Sequence, residues 1–308
     1  MKANLFIIGA AKSGSTSLAH YLGQHPDIYL SPIKEPNHFS REIDLKKLSP
    51  HYKKHNFLDT DSYFSKEKLE DIQLSIVQNP DQYARLFEAG KNAKYRTEAS
   101  VSYMYSPVAS REIYNYNPDA RIIAILRHPA ERAFSHYLMA LRYGYTSLSF
   151  REAFEKDKQT EPKGWGITEL FYELGLYHQQ LQRYYDLFPP ENICVLLFED
   201  MARHPDAVIR KCFDFLDIPY HPVDSSGIQN AGEVPKNPGL NKILYRSGLT
   251  KAASALLPGK LVSRAKSGLL KKEKPVLSDA DKDYLKHLYA GEIKRTAELT
   301  GLDLNHWV

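Results

Sequence analysis

Residues 4–16, Asn4-Leu5-Phe6-Ile7-Ile8-Gly9-Ala10-Ala11-Lys12-Ser13-Gly14-Ser15-Thr16, decide how this chain folds. Residues 4–9 form a short, near-continuously apolar run, as a strand buried on both faces does. Residues 15–22 carry helical spacing. The connection between them holds two glycines, which let backbone amides turn inward, and it ends at a helix N-terminus with its partial positive charge. That is the context a phosphate-cradling loop requires. The loop shares its two glycines and its final hydroxyl with the nucleoside-triphosphate pattern, but Ser15 stands where that pattern has lysine. The lysine available is Lys12, two residues upstream of Gly14. Taken alone, the segment reads equally well as a plain strand-to-helix turn.

A second segment changes the balance. The apolar run 121–126 ends in Arg127, and His128-Pro129-Ala130-Glu131-Arg132-Ala133-Phe134-Ser135 leads from it into a helix. A magnesium-dependent nucleotide enzyme places a carboxylate at such a strand end; a cation there suits a metal-free anion site. Arg127 is able to grip a phosphate bidentately, and Ser135, two helical turns on, to donate its hydroxyl. Arg132 reads as a structural salt-bridge former.

Around these segments, an apolar run at 192–198 and a short strand expected at 95–98 alternate with helical patterns at 106–116, 129–143, 174–187, 205–216 and 278–299. This alternation predicts an α/β fold: a P-loop-like three-layer domain whose mostly parallel central sheet is flanked by helices. Length (308 residues) and 43 % hydrophobic content allow one large α/β domain or two ordinary ones, and the chain is expected to form a single domain over 1–308. Two stretches stand apart, a polar, tyrosine-rich excursion at 44–80 expected to carry small helices, and a basic segment at 242–274 with one acidic residue, Glu273. The basic segment reads as a solvated helix or as a surface for anionic membrane or glycan. The net charge of +4 is too small to argue for nucleic acid. Cys194 and Cys212 fall in buried patterns rather than a disulfide or metal set, which with the lack of a spanning segment points to the cytoplasm.

The order and pattern of these motifs resemble the PAPS-dependent sulfotransferases (PAPS, 3'-phosphoadenosine 5'-phosphosulfate), in particular bacterial carbohydrate-type members similar to the heparan sulfate enzymes. Lys12-Ser13-Gly14-Ser15-Thr16-Ser17 resembles the family's 5'-phosphosulfate loop, and Arg127 with Ser135 its 3'-phosphate motif. Lys34-Glu35-Pro36-Asn37-His38-Phe39 resembles its acidic active-site turn, Thr97-Glu98-Ala99-Ser100 its next strand end, and Gly175-Leu176-Tyr177 a later helix. A lysine follows the family's equivalent of Glu98, whereas this chain has Ala99. The resemblance implies PAPS as co-substrate, Lys12 as the cation on the leaving group, and a hydroxyl or amine acceptor, carbohydrate or other small molecule. It implies Glu35 as general base, with His38 as the rival because imidazole titrates nearer neutrality. Glu98 is then an acceptor-orienting group or an ion-pair partner, Tyr177 an adenine-pocket residue and Lys236 a loop cation over the 3'-phosphate. The excursion and the aromatic stretch 137–145 offer tyrosines suited to a sugar, and equally to a lipid or a small metabolite. Two other classes stay open, a kinase or ATPase with a degenerate P-loop, and a glycan- or lipid-binding module.

Overall fold

The computed structural model describes residues 1–57, 59–226, 235–246 and 275–308. Its strands are β1 (Leu5–Gly9), β2 (Ile28–Leu30), β3 (Ile33–Glu35), β4 (Ile72–Leu74), β5 (Tyr95–Glu98), β6 (Arg121–Leu126) and β7 (Ile193–Leu197). Five of them form a parallel sheet in the order β2-β5-β1-β6-β7, with β1 at its centre.

The alternation of side chains across a strand splits the apolar residues into two cores. Phe6, Ile8, Ile122, Ala124, Leu126 and Val195 pack on one face, where Ala133, Leu181, Tyr184, Tyr289 and Ile293 join them. Leu5, Ile7, Ile123, Ile125, Cys194 and Leu196 point to the other and meet Leu18, Leu22, Val208, Ile209 and Cys212. Helices Pro129–Arg142, Tyr177–Tyr185 and Asp279–Thr300 therefore cover the first face, and Ser15–Leu22 and Pro205–Phe215 the second. Continuous apolar runs in the sequence thus report strands with a core on each side, and the three-layer expectation holds.

The differences have local causes. The helix expected at 174–187 begins instead with a 3₁₀ turn, Glu173–Gly175, and becomes α-helical at Tyr177–Tyr185. A Cβ on Gly175 would stand 2.8 Å from Tyr289, so the terminal helix presses directly on backbone there. The helix Phe150–Gln159 went unpredicted, although Ser149 and Glu152 form its capping box. In the excursion, small helices occur at Pro50–His55 and Thr60–Phe64, but β4 also pairs in parallel with β3, matching Ile33 with Ile72 and Glu35 with Leu74. Three-residue strands are too short to show a period. Of the basic segment 242–274, residues 247–274 lie outside the described residues.

Arg132 is a correction to the salt-bridge expectation. Its side chain is fully buried, donates to the carbonyl of Phe171, and among the described residues forms no ion pair.

Gly14 caps the helix Ser15–Leu22 with φ 92°, and a Cβ there would lie 2.6 Å from Met201 and 2.9 Å from Phe198. Gly14→Ala therefore combines left-handed strain with a clash. A loss of about 1–3 kcal/mol is expected, read as a lowered thermal midpoint; an unchanged midpoint would mean that this junction is not packed as described.

Candidate active site

β1 and β6 are hydrogen-bonded neighbours, so the loop after one and the arginine after the other emerge side by side at the carboxyl edge of the sheet. Lys12 sits at φ 67° and Gly14 at φ 92°. With these two left-handed residues the loop turns sharply into the helix Ser15–Leu22, whose N-terminus has neither a capping side chain nor an acid in its first turn. The amides there are left for a ligand.

The Lys12 ammonium approaches the Met139 sulfur at 3.5 Å and, among the described residues, has no carboxylate within ion-pair distance. Burial lowers its pKa to about 8; Glu35 works against this, while Lys34, Arg127 and Arg142 add to it. The Arg127 guanidinium reaches the Lys12 carbonyl at 3.4 Å and Glu131 at 3.4 Å, and lies 4.7 Å above the Phe198 ring. Loop and strand tip are thus one unit, carrying two partly desolvated cations a short distance apart. Such a pair is stabilised by an anion between them.

Both cations line a cleft of about 730 Å³, together with Gly14, Ser15, Thr16, Ser17, Ser135 and Glu35. Arg127 and Ser135 also border a second cavity of about 300 Å³, closed by residues 275–277 and Lys282. Ser13 is fully buried and outside the cleft wall.

Glu35 ends β3. Its carboxylate accepts from Lys34 at 2.7 Å, and its carbonyl accepts from the Ser75 amide at 3.0 Å and the Asn37 side chain at 2.9 Å. The excursion strand β4 therefore helps hold this carboxylate in the cleft.

His38 is placed differently. Its Nδ1–H donates to the Val77 carbonyl at 2.7 Å, Nε2 accepts from Arg41 at 3.0 Å, and the ring stacks on Tyr83 at 4.0 Å. Burial pushes the imidazole down to about 4, and the residue does not line the cleft.

Glu98 ends β5 beneath the same turn, fully buried and also off the cleft wall. Burial raises its carboxyl to about 7, partly offset by the hydroxyls of Tyr103, Tyr83 and Ser100. Tyr177 lies behind Arg127 and donates to its carbonyl at 2.7 Å, so it braces the arginine from the core side. Lys236 is exposed and outside both cavity walls.

The far end of the cleft is built by residues that sequence reading named only as stretches or missed. His51 and Tyr52 come from the excursion helix, Tyr143 and Tyr145 from the end of the aromatic stretch, and Trp165 and Glu169 from a loop without any motif. Trp165 donates its indole N–H to the Tyr52 hydroxyl, and His51 stacks on Tyr145 at 4.2 Å. Tyr137 instead faces the core and donates to the Leu148 carbonyl. Glu169 pairs with residues 33 and 118 positions away, and no local signal reveals that.

Lys12 should titrate near pH 8 in the ligand-free protein. Carbon-13 methyl labelling of lysines followed by NMR titration reads this directly, and a Lys12 midpoint above 10, like that of surface lysines, would contradict the desolvated site.

The sequence model of the sulfotransferase family matches residues 4–222. Mouse carbohydrate sulfotransferase 15 is 24 % identical over 245 residues, spanning 70 % of this chain and 44 % of that protein. Mouse bifunctional heparan sulfate N-deacetylase/N-sulfotransferase 1 is 26 % identical over 228 residues, spanning 70 % of this chain and 22 % of that one. The chain thus covers less than half the length of either relative. A sulfotransferase from Alicyclobacillus acidocaldarius has the same fold, with a TM-score of 0.69 at 27 % identity over 100 % of this chain and 99 % of that one. With the family match spanning most of its length and a cationic loop and strand tip sharing one cleft, the chain belongs to the sulfotransferase family.

Proposed function

We propose that this protein transfers the sulfuryl group of PAPS to a hydroxyl of a carbohydrate or glycoconjugate. The observation that carries the reading is the placing of Lys12, Arg127 and Glu35 on the walls of a single cleft. The residues fit the donor: uncapped amides and Lys12 suit its 5'-phosphosulfate, and Arg127 with Ser135, between the two cavities, suits its 3'-phosphate.

PAPS supplies an activated sulfur whose bond to the 5'-phosphate oxygen breaks as the bond to the acceptor oxygen forms. The departing electron pair stays on that phosphate, where Lys12 and the loop amides meet the growing negative charge. Glu35 takes the acceptor proton, and its ion pair with Lys34 orients the carboxylate toward the cleft. Glu35 is preferred to His38 as base because both ring nitrogens of His38 are already engaged. Glu98 is assigned to supporting the turn under Glu35, since its carboxyl is sealed from the cleft.

Four variants test this. Glu35→Gln should cut sulfation by roughly 10²–10⁴-fold while adenosine 3',5'-bisphosphate (PAP) still binds. Arg127→Ala should weaken PAP by roughly 10–100-fold, as expected for a lost charge-assisted contact. Lys12→Ala should lower turnover sharply. His38→Ala should retain the chemistry, and an inactive His38→Ala beside an active Glu35→Gln would reverse the assignment of the base. PAP affinity of the wild type should fall as pH rises through about 8, where free Lys12 loses its proton. Magnesium-dependent ATP turnover without PAP binding would favour the kinase reading instead.

A further inference from the structure

Glu169 is the one carboxylate besides Glu35 among the described residues that line the main cleft, and the chain holds it in a built setting. One oxygen lies 3.2 Å from His51 Nε2 and the other 3.6 Å from His136 Nε2, so an imidazole stands against each side. The loop beneath is clamped by Asp157, whose two oxygens accept from the amides of Glu169 and Phe171, both at 2.8 Å. At its other end the Gly166 carbonyl accepts from the Ser49 amide at 2.8 Å, tying the loop to the excursion helix.

Two features define what this carboxylate offers a ligand. Each oxygen has lone-pair capacity beyond its imidazole contact, so it is able to accept a further hydrogen bond. His136 does not cancel the charge: burial, with Arg132 and Lys12 beside it, holds its pKa well below the ordinary value. Around the carboxylate, His51 and Tyr145 stack, and Tyr52, Tyr143 and Trp165 add ring surface of the kind that meets the C–H face of a pyranose. Arg142 and His55 border the same end, where Arg142 lies 5.9 Å over the Tyr143 ring and His55 packs on that ring at 4.8 Å.

We propose that Glu169 is the acceptor-selecting group of this cleft: it accepts a hydrogen bond from a non-reacting hydroxyl of a neutral sugar ring, and its charge turns uronate-bearing sugars away. This inference rests on the sulfotransferase reading and names the acceptor class for the same site. The discrimination is repulsive. A uronate carboxylate brought beside Glu169 in a partly desolvated cleft meets a like charge, which excludes a competitor more strongly than an added contact favours the right substrate. His51 and His136 act as positioning residues that fix the carboxylate.

The test uses the full chain with PAPS and two matched probes, p-nitrophenyl β-glucoside and p-nitrophenyl β-glucuronide, with PAP affinity measured alongside. The wild type should sulfate the glucoside with a kcat/KM at least tenfold above that for the glucuronide. Glu169→Gln keeps the shape and one accepting oxygen but removes the charge. It should narrow that ratio at least fivefold and leave PAP affinity within twofold, which also shows that the variant is folded. An equal or better glucuronide in the wild type, an unchanged ratio in Glu169→Gln, or no sulfation of either probe by a protein that binds PAP would overturn the inference alone. Failure of the wild type to bind PAP would overturn the sulfotransferase reading from which it starts.

Discussion

The arrangement depends on two cations held close together, without full compensation, at the edge of a sheet. Lys12 and Arg127 project from adjacent parallel strands, and the guanidinium of one touches the carbonyl of the other. Burial with like-charged neighbours costs free energy when no anion is bound, visible in the lowered pKa of Lys12. The fold bears that cost because β1 is the central strand of a sheet with a packed core on each face, which leaves the loop no easy way to relax. An anion bridging the pair recovers the lost interaction, so binding is strengthened where charge is densest.

From this pair outward the chain adds functions in layers. Tyr177 holds the backbone of Arg127 from behind, and Phe198 covers its guanidinium face. The acidic turn brings Glu35 into the same space, pinned by the small β3–β4 pair and by polar side chains from Asn37, Ser100 and Ser102. The excursion thus completes the cleft twice, through β4 behind Glu35 and through the helix carrying His51 and Tyr52 at the far end.

How far the sequence reveals this depends on the distance over which each signal acts. The loop of Lys12 and the tip of Arg127 are legible because strand, glycine and helix start lie within a few residues, and their chemistry follows from those neighbours. Glu35 is legible through motif resemblance. His38 shows the limit of that approach: residue type suggests a base, but whether a ring nitrogen is free depends on Val77 and Arg41, which only the tertiary structure brings to it. Arg132 looked like an ion-pair former and proved to be a buried donor to a carbonyl. Glu169 carries no local signal at all, since its partners His51 and His136 reach it from two other helices.

The most direct measurement of the central claim is a crystal structure of the protein with PAP bound. The account predicts the 5'-phosphate against the Lys12 ammonium and the first amides of the helix Ser15–Leu22, and the 3'-phosphate on Arg127 and Ser135, the nucleotide spanning the two cavities they border. A nucleotide lying elsewhere, or one whose 3'-phosphate points away from Arg127, would contradict it.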